Sequence, residues 1–331
     1  MRRQNFTDSE GSTELHRAAR NGLLENLKAL LQTDVHPNAR DKRGKTPLHE
    51  ACSHGHEECA KELLDKGSII SPHKTNGFTP LHYAAAGGHT SIVRLLISRG
   101  ANVDDTDNKG ERPLDLAARI GSFSTVETLL LSKADVTCKT KNGRSSVHTA
   151  ALNGHVEVLQ LLLNFGASPV TTDSGGSQPI HEAAAGGHVL CLNLLSTSGA
   201  DINARDGCGC TPLHRAAMGG HIDSVSWLIQ MGGDVEAKDD NGSTPLYLAA
   251  SSGHANVISM LVKEAGADSS LENIHRSPLH VAAGRGYIDA CKVLLSFGAD
   301  KKAKDKDGRT PFEVAMSCNQ IEEVQRILSE E

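Results

Sequence analysis

Aromatic side chains are scarce in this chain of 331 residues: Phe, Tyr and Trp together make 3%, with one tryptophan, Trp227. Large globular cores usually lean on aromatic anchors, so a core of Leu, Ala, Val and Ile is expected instead. A basic excess is missing too. The formal charge is -6 and the pI about 6.3, whereas binding nucleic acid by phosphate neutralisation normally needs a basic surface. No run approaches the roughly 18 apolar residues that could span a bilayer. The first residues, "MRRQNFTDSEGS", are polar and carry no signal-peptide pattern. Eight cysteines lie at irregular spacings, and without a secretory signal they read as reduced thiols of a cytoplasmic or nuclear protein. The glycosylation patterns at Asn5 and Asn241 would not meet that machinery there. With 22% charged and 38% apolar residues, the chain is neither disordered nor membrane-like.

What is present in abundance is repetition. Length alone suggests about two domains, but the tetrapeptide TPLH recurs at 46, 79 and 211. Stepping by 33 residues gives TELH, TPLH, TPLH, RPLD, SSVH, QPIH, TPLH, TPLY, SPLH and TPFE, starting at 13, 46, 79, 112, 145, 178, 211, 244, 277 and 310. No insertion or deletion interrupts the series. The units run roughly 12–44, 45–77, 78–110, 111–143, 144–176, 177–209, 210–242, 243–275, 276–308 and 309–331, after a segment 1–11 expected to be disordered. No extra domain is expected within these residues.

Each unit has one grammar. Thr or Ser caps a helix with its hydroxyl, and Pro follows at the first helical position, where its missing N–H costs nothing. An Ala-Ala pair lets a neighbouring helix come close, and a Gly ends the helix, as at Gly88, Gly154 and Gly220. A second helix carries apolar residues at helical spacing, for example Ile92, Val93, Leu95 and Leu96. A further Gly and a polar turn complete the unit. Such a helix pair cannot bury its apolar face alone and must stack on copies of itself. The pattern "G-x-T-P-L-H-x-A-A-x-x-G-H … L-L-x-x-G-A" over residues 12 to 331 closely resembles the ankyrin repeat. The resemblance implies an all-α fold: an α-solenoid of stacked helix-turn-helix repeats with hairpin-like turns projecting from it.

The stretch "HEACSHGHEEC", residues 49–59, looks like a metal site by composition. Aligned with its sister units, it dissolves into repeat positions. His49 is the TPLH histidine, His56 the one after the helix-ending Gly55, Cys52 the second residue of the Ala pair, and Cys59 an inward aliphatic. Only His54 has no counterpart. The resemblance implies that the TPLH histidine ties neighbouring units together through backbone hydrogen bonds. Cys208 and Cys210 form a C-x-C pair at a turn tip, read as two exposed thiols; a metal or redox role is the alternative, but no second cysteine pair lies near. Gly44-Lys45-Thr46 lacks the earlier Gly and the strand of a phosphate loop. "DKKAKDKDGR", 300–309, reads as a solvated turn. No catalytic relay stands out, so no catalytic residue, metal or cofactor is expected.

If the scaffold is regular, specificity lies where units differ. In the family, variable positions cluster on the turn tips and first helices, which form a concave groove. Mapped here, they give a candidate partner-binding set: Phe78, Tyr83, Lys109, Leu116, Arg119, Ile120, Lys141, Arg144, Leu152, Arg215 and Met218. Phe78, Tyr83, Leu116, Ile120 and Leu152 are read as apolar side chains pointing into a solvated groove rimmed by cations. The alternative is that they pack against adjacent turns. RPLD, SSVH and QPIH weaken the capping pattern, so a softer stretch is expected from about 110 to 180. Polar residues at the ends, including Glu14, Asp34, Glu313, Asn319, Glu322, Glu323 and Arg326, read as solubilising caps. The function implied is a monomeric, non-enzymatic adaptor or scaffold for a protein partner, with no membrane partner. The alternative is a regulatory or inhibitory subunit of an enzyme such as a kinase or phosphatase.

Overall fold

The computed structural model describes residues 7–33, 35–72, 75–270, 273–318 and 322–329. Among them are twenty helices and no strand. The chain divides into two compact units, Met1–Ala150 with Glu157–Ser168, and Ala151–Val156 with Pro169–Glu331. The first holds the helix pairs α1 (Glu14–Arg20) and α2 (Leu24–Leu31), α3 (Pro47–His54) and α4 (Glu57–Asp65), α5 (Pro80–Ala86) and α6 (Thr90–Ser98), and α7 (Pro113–Ile120) and α8 (Phe123–Leu131). The division passes through α9 (Ser146–Leu152) and α10 (Val156–Asn164). The second holds α11 (Pro179–Ala185) and α12 (Val189–Thr197), α13 (Pro212–Gly219) and α14 (Ile222–Gln230), and α15 (Pro245–Ser252) and α16 (Ala255–Lys263). Its last pairs are α17 (Pro278–Arg285) with α18 (Ile288–Ser296) and α19 (Pro311–Ser317) with α20 (Glu322–Ser329).

Within each unit the helix pairs stack as a solenoid. First helices lie closer to one another than second helices do. The reason is size: Ala84 and Ala85, or Ala216 and Ala217, are fully buried where consecutive first helices meet. Second helices supply the bulk, with Leu27, Leu63, Leu96 and Leu129 fully buried in the first unit and Leu195, Leu228, Leu261 and Leu294 in the second. Each such leucine contributes about 1.5–3 kcal/mol of burial, which replaces the missing aromatic anchors. Cys52, Cys59, Cys191 and Cys291 are core residues of the same kind. Burial pushes the Cys291 thiol up to about 12, far from a metal-binding thiolate.

The glycine after the first helix answers two demands. Gly220 sits at φ 74° and closes α13 through the left-handed cap. A Cβ added there would meet Nδ1 of His254 at 2.6 Å. Gly232, after α14, has φ 92° but nothing within 4 Å of such a Cβ. Gly220→Ala is therefore expected to cost at least about 3 kcal/mol, and Gly232→Ala about 1 kcal/mol. Urea melts followed by Trp227 fluorescence check this pair; equal losses would show that φ alone matters.

Residues 8–12 already form a turn of the repeating kind. Asp8 Oδ1 accepts the N–H of Glu10 and of Ser12, both at 2.9 Å, and Glu10 O accepts the N–H of Lys42 at 3.0 Å. Asp34, Asn319 and the side chain of Glu322 lie outside the described residues. At the other end, Glu313 caps α19 by accepting the Thr310 N–H at 2.7 Å.

Candidate functional site

The repeat's histidines are fasteners. Nδ1 of His49 accepts the backbone N–H of Thr46 at 3.0 Å and lies 2.9 Å from its hydroxyl. An Nδ1 that accepts an amide N–H carries no proton, so the ring proton is on Nε2. That Nε2–H donates to Phe78 O in the next repeat, at 3.2 Å. His16, His82, His214 and His280 repeat the arrangement on Lys45 O, Glu111 O, Ser243 O and Arg309 O at 2.9–3.1 Å. A protonated ring would lose its Nδ1 acceptor, and burial adds to the effect: it lowers His49 to about 4 and also depresses His181 and His214.

A second set of histidines points backward. Nε2–H of His56 donates to Arg20 O at 3.0 Å, His221 to Ala185 O at 2.8 Å, and His254 to Met218 O at 3.0 Å. Of the histidines and cysteines in the stretch 49–59, only His54 is exposed, and it donates from Nδ1 to Glu50 O at 3.0 Å. Every imidazole there has a structural partner.

The turns have their own fastener, absent from the sequence reading. Five residues before the TPLH threonine, an Asp accepts two backbone N–H groups: Asp41 those of Arg43 (2.9 Å) and Lys45 (2.7 Å), and Asp206 those of Cys208 (2.9 Å) and Cys210 (3.0 Å). Asp107, Asp173, Asp239 and Asp305 do likewise. The period of these aspartates is visible in the sequence itself. Cys208 is exposed, but Cys210 is buried, and burial lifts its thiol to about 11. The reading of two exposed thiols is corrected: Cys210 sits on the inner side of the turn that Asp206 closes.

The candidate partner-binding residues fall into separate groups. In the first unit, the Phe78 and Tyr83 rings meet edge to face at 5.3 Å, and Lys45 Nζ stands 4.7 Å from the Tyr83 centroid. Lys45 also reaches Glu50 Oε1 at 3.2 Å, and Arg20 grips the same carboxylate with Nε at 3.2 Å and Nη2 at 3.1 Å. Glu50, at the position after TPLH, is 1% exposed. Burial raises its pKa, the Arg20 and Lys45 contacts lower it, and the net direction is down.

Leu116 does not point into solvent. It is 2% exposed, and Glu50 and Val281 at the same position after TPLH are buried too, whereas Tyr83 and Arg215 there are half-buried. Ile120 is 44% exposed at the far end of α7, its Cδ1 beside Gly88. The continuous apolar row is thus broken: Phe78 and Tyr83 touch, Leu116 is packing, and Ile120 stands apart. Lys109 and Lys141 are exposed at turn tips, Arg144 is half-buried, and Arg119 pairs with Glu111. In the second unit, Leu152 (36%) and Met218 (40%) are exposed at the ends of first helices. Arg215 is spent on the buried Asp206, to which its Nε donates at 2.9 Å. No described helix is long and apolar enough to cross a membrane.

The comparisons agree with this architecture. A family model described as ankyrin repeats in three copies matches residues 2–72, 68–140, 114–206, 199–273 and 266–331. Among solved structures, the ankyrin repeat domain of human ASB11 is similar, at 26% identity and a TM-score of 0.60 over 66% of this chain and 96% of that one. No curated protein sequence matches. Ankyrin repeats are in general protein–protein interaction modules, and with its models tiling residues 2–331 this chain belongs to the ankyrin-repeat family.

Proposed function

We propose that the protein is a non-enzymatic adaptor or scaffold that holds a polypeptide partner on the face made by its turn tips and first helices. One observation carries this reading. The side chains that recur from repeat to repeat are consumed by stacking, capping and turn closure, while the exposed ones on that face, such as Asn76, Lys109, Lys141, Leu152 and Met218, differ between repeats. Phe78 with Tyr83 in the first unit, and Leu152 with Met218 in the second, supply apolar contact area. Leu116 drops out of the set because it is buried.

Photo-crosslinking tests the face. A photoreactive amino acid replacing Asn76, at a tip, or Met218, at a first-helix end, is expected to cross-link a captured polypeptide. The same group replacing Ser91 on α6 or Leu190 on α12, both exposed, is expected to give far less. Cross-links chiefly from the second helices would place the binding face on the wrong side.

A further inference from the structure

The tips of the first unit carry lysines that no carboxylate pairs among the described residues. Their acidic residues are engaged within the turns and helices: Asp41 and Asp107 accept backbone N–H groups, Asp105 accepts from the Asn102 amide, Asp104 from the Asp135 N–H and Asp135 from the Thr137 N–H, Glu50 is buried under Arg20 and Lys45, and Glu111 pairs with Arg119. Arg43 is met by Glu10 at 3.3 Å. Lys42 reaches only a neutral carbonyl, Ser9 O, at 2.6 Å, while Lys109 and Lys141 are exposed, with no carboxylate against either side chain among the described residues.

Backbone bonds hold these tips in a row. Thr75 N–H donates to Arg43 O at 3.3 Å, Asn108 N–H to Asn76 O at 2.9 Å, and Lys141 N–H to Lys109 O at 2.9 Å. The Phe78–Tyr83 ring pair lies in the repeat between Lys42 and Lys109. On the second helices α2, α4, α6 and α8 of the same unit acid outnumbers base, with Glu25, Glu57, Glu58, Glu62, Asp65 and Glu127 against Lys28, Lys61 and Arg94. The tip row therefore presents exposed lysines without ion-pair partners among the described residues, on a chain whose net charge is -6.

We infer that this row docks an acidic, extended polypeptide segment that lays carboxylates along Lys42, Lys109 and Lys141 and an apolar side chain against Phe78. The inference rests on the proposed protein-binding role and names the partner's chemistry. Three layers at about 8–10 Å each separate the outer lysines by about 27 Å, the reach of about eight extended residues at about 3.3 Å apiece. A nucleic acid fits less well, because three separated cations release few counterions and the rest of the chain repels a polyanion. An acidic peptide meets both the charge and the apolar ring.

Selection of a random dodecapeptide display library on the full chain tests this, with affinities of the enriched peptides measured by fluorescence anisotropy. Enriched peptides are expected to carry net negative charge and at least one aromatic or aliphatic residue. The double variant Lys109→Glu, Lys141→Glu should weaken them about tenfold with its circular dichroism unchanged, and raising NaCl from about 50 to about 300 mM should weaken them severalfold. Enrichment without acidic bias, or equal binding to the double variant, overturns the inference. If selected peptides are lost only on Met218→Ser, the protein-binding role stands and the acidic docking row falls. Tighter binding of a single-stranded DNA oligonucleotide than of any peptide would replace the partner class. Failure to enrich any peptide would remove both readings.

Discussion

Lowering the pH from about 7 to about 4.5 is expected to strip several kcal/mol from the fold, well before general acid denaturation. His49 is held near pH 4 by burial, against an ordinary value of 6.5, with His181 and His214 displaced in the same direction. An imidazole with a folded pKa below its unfolded one lets the unfolded chain take up the extra proton. Its stabilising contribution is complete above about pH 6.5 and is lost as pH falls toward 4, with about 3 kcal/mol at stake for His49 alone. Glu50 and Asp206, whose pKa values are depressed, add losses only below the ordinary carboxylate range. Urea melts between pH 7.5 and 4.5 check this, with Trp227 fluorescence reporting on the repeat that contains His214. Because a repeat array need not unfold in one step, amide exchange around His49 provides the second reading. A midpoint that stays flat across the window would mean these rings are not the neutral fasteners described.

Asp115→Asn is expected to stabilise the first unit by about 2 kcal/mol at neutral pH. Asp115 occupies the place of the TPLH histidine, and its Oδ2 accepts the Arg112 N–H at 2.9 Å. Burial lifts its carboxyl to about 6, so at pH 7 the fold must keep an unwelcome charge in the core. Here the sign is opposite to that of the histidines. The penalty is complete above about pH 6, and stability is recovered as pH falls toward the unfolded value near 4. The gain from Asn should therefore shrink at low pH, and a constant gain, or a loss at pH 7, would contradict the cause. A carboxylate also has no N–H to give the next turn. Arg112, in the threonine position, leaves Nε and Nη1 buried without hydrogen-bond partners, Nε lying 3.8 Å from Asp104. The pair Arg112→Thr, Asp115→His restores both parts of the fastener and should stabilise more than Asn does.

Much of this was legible before any coordinates. A period of 33 with Thr-Pro at one phase and Gly at two others dictates short paired helices, because those residues fix caps and turns locally. The stretch 49–59 was readable for the same reason: alignment with its sisters assigned His49, Cys52, His56 and Cys59 to the stack. The candidate face was only half legible. A variable letter on a first helix suggested exposure, yet Glu50 and Leu116 are covered while Tyr83 and Arg215, at the same position after TPLH, stay half-exposed, because each depends on what the next layer places against it.

The sequence by itself determined what each repeat is, since capping, helix period and turn chemistry act over a few residues. Only the tertiary structure decided which odd residues are free to meet a partner. Burial, and the neutralisation of one charge by another 30 positions away, as Arg20 neutralises Glu50, depend on what the next layer places opposite.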